Sequence, residues 1–154
     1  MLFPVKKILC TTDFSEASYA GIKVANEMAL KDSAEVVLVH VAAPVPVLGA
    51  PHHATPVAFD VPAYQQEFVD KTDETIQHLS KTKFDETLNV KTRVEVGYAA
   101  DEVARIAEDE GVDLIVISTH GHTGFQRFLL GSVTERVIRY APCPVLSVRA
   151  PAEE

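Results

Sequence analysis

The residues that most directly indicate a ligand-binding site lie in a glycine-rich segment, which follows an apolar run and precedes a helical pattern. The apolar run Leu114 to Ser118 is followed by Gly121, and then by Gly131 and Ser132 at the start of the helical pattern. Glycine lets a backbone approach a ligand closely, and the free N–H groups at a helix N-terminus bind anions. The segment therefore predicts a phosphate-binding turn, with the N–H groups from Gly131 through Thr134 directed at the anion.

The hydroxyl and acidic side chains of this segment have two uses. Ser132 and Glu135 fit an S-x-x-E capping box, so a helix is predicted to begin at Ser132 with Ser132 as its N-cap. The Ser132 and Thr134 hydroxyls are also donors for a phosphate. The alternative is that Ser132 only caps its own helix.

Three other polar side chains are candidates, each with an alternative role. His120 and His122 flank Gly121, and they either contact the phosphate or are ordinary histidines of a surface loop. Asp13 follows the first apolar run. It either contacts the ligand or caps the helix that begins near Ser15, and these two roles are compatible.

The sequence contains no recognisable machinery for fast catalysis. No lysine follows the glycines as a Walker A loop requires, and the G-x-G-x-x-G signature is missing. The local sequence indicates no Ser-His-Asp or Cys-His set, and no paired carboxylates lie in the motif. The adjacent His52 and His53 have no partnered ligands, so they predict no metal site. The pattern is typical of a binding site, with any hydrolysis slow.

The elements that position these residues alternate between strands and helices. Apolar runs without strong alternation suit a parallel sheet that is covered on both faces. The alternation predicts an open, doubly wound, five-stranded parallel α/β sheet of Rossmann-like type, in which ligands bind beyond the carboxyl ends of the strands. The predicted strands are Ile8 to Thr11, Val36 to Val41, Val90 to Val96, Leu114 to Ser118 and Val145 to Val148.

Helical periodicity fills the gaps between these runs. Val90 to Val96 alternates and Val145 to Val148 is short, so both strands are predicted nearer the sheet edges. The last predicted helix is Ser132 to Tyr140. The predicted apolar stripes of the other helices are Ala17, Ala20, Gly21, Val24, Ala25 and Met28; Tyr64, Phe68, Thr72, Ile76 and Leu79; and Val103, Ile106 and Ala107.

One connection, Ala42 to Pro62, is rich in proline and also contains Gly49. It carries too many breakers for a regular element and is longer than most connections in a compact domain. We expect a mobile loop, which is either a lid over the site or a surface excursion without a role.

The composition limits the class of protein. The chain has 154 residues, of which 47% are hydrophobic and 23% charged, which predicts one globular domain over residues 1–150 with a frayed tail at 151–154. The net charge of -8 argues against binding to nucleic acid or to anionic membranes. The sequence shows no secretory signal and no spanning segment, so a cytoplasmic location is expected. Cys10 and Cys143 are expected to be buried, reduced thiols.

The glycine segment resembles a motif of the universal stress protein family. The ATP-binding members share Gly, two residues, Gly, nine residues, and then Gly followed by Ser or Thr. Gly121, Gly131 and Ser132 fit the later part of this motif, whereas Ser118 replaces its first glycine. The resemblance covers most of the chain, because three further segments look like the family's first, second and last strands: Lys7 to Ser15, Val36 to Val41 and Ala141 to Val148.

The resemblance implies an adenine nucleotide, ATP or else ADP or AMP, with Mg²⁺ held through the phosphates, in a fold like that of the adenine nucleotide alpha hydrolases. It places Asp13 and the backbone of Thr11 and Thr12 near the adenosine, and the main chain of Val41 at the adenine edge. The Ser118 side chain either crowds the ribose and phosphate path or supplies a replacement hydrogen bond. The implied nucleotide-binding residues are Thr11, Thr12, Asp13, Val41, Ser118, His120, Gly121, Gly131, Ser132, Val133 and Thr134.

The resemblance also implies a homodimer that pairs Cys143 to Arg149 across a two-fold axis, and an apolar strand at a sheet edge needs such a partner or a cover. The expected function is a stress-response regulatory protein whose nucleotide occupancy changes loop order or the choice of an unidentified protein partner. One alternative is a dimeric interaction protein of the same fold that binds no nucleotide, which Ser118 favours. Another is an adenylyl or phosphoryl transferase, for which no catalytic residues are identifiable.

Overall fold

The computed structural model describes residues 3–45, 61–119 and 131–150. Strands and helices alternate along these residues, as the change between extended and helical periodicity predicts. In chain order the elements are β1 (Lys7–Thr11), α1 (Glu16–Asp32), β2 (Glu35–Ala42), α2 (Val61–Lys83), β3 (Val90–Val96), α3 (Ala99–Glu110), β4 (Leu114–Thr119), α4 (Ser132–Tyr140) and β5 (Val145–Arg149).

The strands form one parallel sheet in the order β3-β2-β1-β4-β5. The predicted five-stranded parallel α/β fold is confirmed, and β3 and β5 lie at the edges as predicted. The chain moves from β1 outward to β2 and β3, and then crosses back to β4 on the other side of β1. The strand order therefore reverses between β1 and β4, which is where an open sheet of this kind forms a crevice.

Helices cover both faces of the sheet, because the inner strands are apolar on both faces. Val36 and Leu38 of β2 pack in the core on the side of α1 and α2, whereas Val37 and Val39 pack in the core on the side of α3 and α4. This alternation along one strand is what a doubly wound sheet requires.

The predicted stripe of α1 is wrong in part. The residues of α1 that are buried are Ser18, Gly21, Ile22, Ala25 and Ala29, whereas Ala17, Ala20, Val24 and Met28 are only half-buried. The branched Ile22, with its larger apolar surface, faces the core, and small alanines on all sides of the helix had left the direction of the stripe poorly defined.

The first turns of α2 differ from the prediction. Thr72, Ile76 and Leu79 are buried as predicted, but Tyr64 and Phe68 are exposed. Pro62 lies inside α2 rather than in the connection, which is compatible with the first turn of a helix because that turn has no partner for the missing N–H. Residues 46–60 of the predicted loop lie outside the described residues.

Across residues 3–45, 61–119 and 131–150, none of the helices combines the length and the apolar composition that crossing a bilayer requires.

Candidate functional site

A pocket of about 240 Å³ opens at the carboxyl ends of the strands. Its walls come from the ends of β1, β2 and β4 and from the first turns of α1, α3 and α4, so it occupies the crevice where the strand order reverses. The described residues that line it are Thr11, Thr12, Asp13, Ser18, Val39, His40, Val41, Ala99, Val103, Ile117, Ser118, Gly131, Ser132, Val133 and Thr134.

Thr12 fixes the end of β1 through every polar group that it has. Its N–H donates to the Val39 carbonyl at 2.9 Å, and its carbonyl accepts from Nδ1 of His40 at 2.9 Å. Its hydroxyl oxygen accepts from the Phe14 N–H at 3.0 Å and lies 3.0 Å from the Ser18 hydroxyl. Because Thr12 is buried, these bonds determine how the chain leaves the sheet.

Asp13 stabilises the turn from β1 into α1 by hydrogen bonds, but it is not the N-cap of α1. The N-cap is Ser15, whose side chain accepts from the Ser18 N–H. Asp13 Oδ1 accepts from the N–H of Ser15 at 3.0 Å and also from its hydroxyl, and Phe14 between them adopts a φ of 64°. The expectation that Asp13 itself caps the helix is therefore wrong, because Ser15 is the residue placed to reach the free N–H groups. Asp13 is exposed and lines the pocket.

The main chain of Val41 faces the pocket beyond the end of β1. Along a strand the N–H and C=O of one residue point to the same side, and this side alternates with every residue. The Val39 carbonyl points towards β1, where it accepts from Thr12, so the groups of Val41 point the same way. The register between β1 and β2 ends with Thr11 opposite Val39. Val41 therefore presents one donor and one acceptor to the space that β1 leaves open.

His40 is a pocket residue that the sequence analysis did not single out as a candidate. A carbonyl oxygen only accepts, so His40 Nδ1 carries a hydrogen in its bond to Thr12. The ring also packs against Phe14, with the ring centroids 4.6 Å apart. No local pattern marks His40, because its partner, the Thr12 carbonyl, is 28 residues away in the sequence. The other wall residues that were missed are Ser18, Val39, Ala99, Val103 and Ile117.

The N-terminus of α4 forms the polar end of the pocket. The helix begins at Ser132 as predicted, but its N-cap is Gly131 and no described side chain makes a capping hydrogen bond. The predicted capping box is wrong because the Glu135 N–H donates to the Gly131 carbonyl at 3.0 Å, which places the cap one residue earlier. The Glu135 carboxylate instead accepts from Arg139. The N–H groups of Ser132 through Thr134 precede this first helical bond, so they have no partner within the helix.

Neither the backbone conformation nor any described neighbour requires glycine at position 131. Gly131 has φ -56° and ψ 148°, which any residue adopts without strain. A Cβ built on Gly131 meets no described atom within 4 Å. Gly111, by contrast, has φ +59° at the end of α3, where the left-handed conformation favours glycine. Among the described residues, nothing fills the space beside Gly131, which lines the pocket.

Ser118, at the end of β4, lines the pocket while its hydroxyl contacts α1. Ser118 Oγ accepts from the Gly21 N–H at 2.9 Å and donates to the Ser18 carbonyl at 3.3 Å. Of the two predicted roles for this side chain, the structure provides a hydrogen bond, but the partner is a neighbouring helix of the protein.

Some predicted candidates lie outside the described residues: His52, His53, His120, Gly121 and His122. Among residues 3–45, 61–119 and 131–150, no group of three His, Cys, Asp or Glu side chains is arranged to hold a metal ion.

Burial raises the pKa of the Cys10 thiol to about 12. Burial and the nearby Asp113 raise the pKa of the half-buried Cys143 thiol. Both thiols are free, and neither has the lowered pKa of a nucleophile.

The pocket thus combines two kinds of wall. Val41, Ala99, Val103 and Ile117 supply apolar groups, while α4 supplies N–H groups that have no partner within the helix. An apolar slot with a donor and an acceptor at its edge suits a flat heterocycle. A helix N-terminus suits an anion.

The sequence model of the universal stress protein family matches residues 4–149. Universal stress protein MJ0531 of Methanocaldococcus jannaschii is 34% identical over 149 residues, which cover 97% of this chain and 85% of that protein. Universal stress protein MJ0577 of the same organism is 33% identical over 153 residues, which cover 94% of each.

Solved structures show the same fold. The structure of MJ0577 matches with a TM-score of 0.77 and 32% identity over 97% of this chain and 99% of that chain. A universal stress protein in complex with cAMP matches with a TM-score of 0.59 and 19% identity over 94% of this chain and 97% of that one. The universal stress protein of Archaeoglobus fulgidus in complex with dAMP matches with a TM-score of 0.53 and 19% identity over 96% and 98%. The last two are similar in fold alone.

Proposed function

This chain belongs to the universal stress protein family, and we propose that it is a regulatory protein that binds an adenine nucleotide, ATP above all, in the pocket at the carboxyl ends of its strands. The observation that carries the proposal is the N-terminus of α4 at Gly131, because its first N–H groups have no partner within the helix and no described atom fills the space beside Gly131.

The phosphates would lie against Gly131 to Thr134. The N–H groups of Ser132, Val133 and Thr134 have no helical partner, and the positive end of the helix dipole adds attraction for an anion. Ser132 and Val133 are exposed, whereas Thr134 is buried. The phosphate would therefore be bound mainly by backbone groups, and a Mg²⁺ ion would be held through the phosphates and water.

The nucleoside would lie beyond the carboxyl ends of β1 and β2. The N–H and C=O of Val41 face this space and match the donor and acceptor at the edge of an adenine ring. Asp13, at the rim, is an acceptor for a ribose hydroxyl, and the Thr11 and Thr12 backbone forms the wall beneath it. Val103 and Ile117 supply apolar contact for the ring.

The relatives support the chemical class of the ligand. Two universal stress proteins of the same fold have been crystallised or solved with cAMP and with dAMP, and both ligands contain adenine and a phosphate. ATP shares those parts and adds two phosphates, so ADP and AMP are the competitors that a binding experiment must include.

We propose a switch rather than a fast enzyme. Asp13 is the one carboxylate among the described residues that line the pocket, and it already accepts two hydrogen bonds from Ser15. Both cysteine thiols have a raised pKa. Any hydrolysis of ATP would therefore be slow, and nucleotide occupancy would act on a partner protein.

A homodimer through β5 is part of this proposal. β5 is an edge strand, and Leu146 is 37% exposed on it. The outer N–H and C=O groups of such a strand need a partner, and a second copy of β5 related by a two-fold axis supplies one.

The test is a matched pair of glycine variants. Gly131→Val places a side chain in the room beside α4 and, since valine is a poorer N-cap than glycine, lowers the free energy of unfolding by about 1 kcal/mol. Gly111→Ala, far from the pocket, lowers it by a similar amount, about 1 kcal/mol, because its φ is positive. We expect calorimetric titration with ATP and Mg²⁺ to show at least about a tenfold loss of affinity for Gly131→Val and none for Gly111→Ala.

Equal affinities in the two variants would show that the α4 N-terminus does not hold the phosphate. A stripped wild-type protein that binds neither ATP, ADP nor AMP would favour the alternative, an interaction protein of the same fold that takes no nucleotide.

A further inference from the structure

Ser118 stands where the family motif has its first glycine, and its hydroxyl is directed at the helix that follows β1. Ser118 Oγ accepts from the N–H of Gly21 at 2.9 Å and donates to the carbonyl of Ser18 at 3.3 Å. Both partners lie in the first two turns of α1. The serine therefore ties the carboxyl end of β4 to the beginning of α1.

Glycine at position 21 leaves room for this contact because it has no Cβ. A Cβ built on Gly21 would lie 2.5 Å from Ser118 Oγ but 3.5 Å from the backbone nitrogen of Ser118 and 3.7 Å from its Cβ. The last two distances are ordinary contacts. It is the hydroxyl alone that requires glycine at position 21, so Ser118 and Gly21 form a complementary pair.

The same turn of α1 is connected to the pocket through Ser18. Ser18 Oγ donates its hydrogen to the Ser15 carbonyl at 2.7 Å, so in the 3.0 Å contact between Ser18 and Thr12 the Thr12 hydroxyl is the donor. Thr12 in turn accepts from the Phe14 N–H. A continuous series of hydrogen bonds therefore runs from Ser118 through α1 to the turn that presents Asp13.

We propose that Ser118 is a positioning residue of the nucleotide pocket, which acts through α1 and not by touching the ligand with its hydroxyl. It holds Ser18 and Gly21 against β4, and through Ser18 it fixes Thr12 and the turn at Asp13. The serine in place of glycine is thereby compatible with an open pocket. This inference rests on the proposed function, because it assigns a role within the same site.

The test compares Ser118→Ala with Ser80→Ala. Ser80 lies in α2, donates its hydroxyl to the Gln77 carbonyl at 2.8 Å and does not line the pocket. Amide hydrogen exchange is measured without nucleotide, and the dissociation constant for ATP with Mg²⁺ is measured by calorimetry at a temperature at which all the proteins are folded. For Ser118→Ala we expect exchange at Phe14, Ser18 and Gly21 to be about fivefold faster and ATP to bind about fivefold more weakly, as the loss of a hydrogen bond predicts. Ser80→Ala changes neither.

Each other outcome overturns the inference. Weaker ATP binding with unchanged exchange shows that the hydroxyl contacts the nucleotide directly. Faster exchange with unchanged ATP binding shows that the contact with α1 does not position the pocket. If the wild-type protein binds neither ATP, ADP nor AMP, the proposed function fails, and the role of Ser118 towards a nucleotide fails with it whatever the exchange rates are.

Discussion

Replacing Gly21 by alanine provides a direct measure of where the Ser118 hydroxyl lies in solution. Gly21 is buried in the interior of α1, and an added Cβ would lie 2.5 Å from Ser118 Oγ with no other contact below 3.5 Å. We therefore expect Gly21→Ala to destabilise the wild-type protein. In the Ser118→Ala background, where the hydroxyl is gone, the same change is expected to be stabilising.

The magnitudes follow from three terms. Alanine is favoured over glycine in a helix interior by about 1 kcal/mol. With Ser118 present, the hydroxyl must leave its position and give up two hydrogen bonds, at about 1 kcal/mol each, and the added methyl costs about 1 kcal/mol more through overpacking. The net change is a loss of about 2 kcal/mol with Ser118 and a gain of about 1 kcal/mol without it, so the two positions are coupled by about 3 kcal/mol.

The assay is urea unfolding of the wild-type protein, the two single variants and the double variant. Ala20→Gly, at the neighbouring half-buried position of the same helix, is the control for helix propensity and is expected to cost about 1 kcal/mol whether or not Ser118 is replaced. In a chain of this length, a change of 1 kcal/mol corresponds to a shift in Tm of about 2–4 °C.

Two results would refute the reasoning. If Gly21→Ala is stabilising in both backgrounds, the Ser118 hydroxyl does not occupy the space beside Gly21. If it is equally destabilising in both, α1 lies too close to the backbone of β4 for any side chain, and the hydroxyl is not the cause.

Three further predictions concern other parts of the molecule. Leu146→Asp on the edge strand β5 is expected to dissociate the proposed dimer in analytical ultracentrifugation, and unchanged sedimentation would argue against pairing through β5. Thr12→Val removes the buried hydroxyl that serves Phe14 and Ser18 and is expected to lower the free energy of unfolding by about 2 kcal/mol in urea, against about 0.5 kcal/mol or less for the exposed Thr75→Val. Burial raises the pKa of Cys10 from 9.0 to about 12, so between these values the folded chain binds more protons than the unfolded chain. Stability should then fall as pH rises, by up to about 1.4 kcal/mol per pH unit relative to Cys10→Ala, and parallel urea stability curves for the two proteins would contradict this.

The sequence predicted the strands well because a parallel sheet covered on both faces needs uninterrupted apolar runs. β3 has the predicted bounds, and the others differ by one residue at one or both ends. The edge positions of β3 and β5 also followed from pattern, since edge strands are less completely buried. The helix stripes were predicted less well, because the many small residues of α1 do not define a single apolar face.

The local details of the pocket could not be predicted with the same success. Whether Ser132 or Gly131 caps α4 depends on which carbonyl accepts the Glu135 N–H, and this changes with a small displacement of the backbone. His40 was missed because a histidine within an apolar strand shows no partner in the sequence. Its partner, the Thr12 carbonyl, is brought next to it by the pairing of β1 with β2.

The sequence by itself determined that several groups would lie at the carboxyl end of a parallel sheet: Thr11 to Asp13, Val41, Ser118 and the start of α4. The physical reason is that all strands of a parallel sheet have their carboxyl ends on the same side, whatever the detailed packing. Only the tertiary structure decided which way each group points: the main chain of Val41 into the space beyond β1, and the Ser118 hydroxyl into the gap beside Gly21. Those directions depend on strand register and on contacts between residues far apart in the chain, which no local pattern encodes.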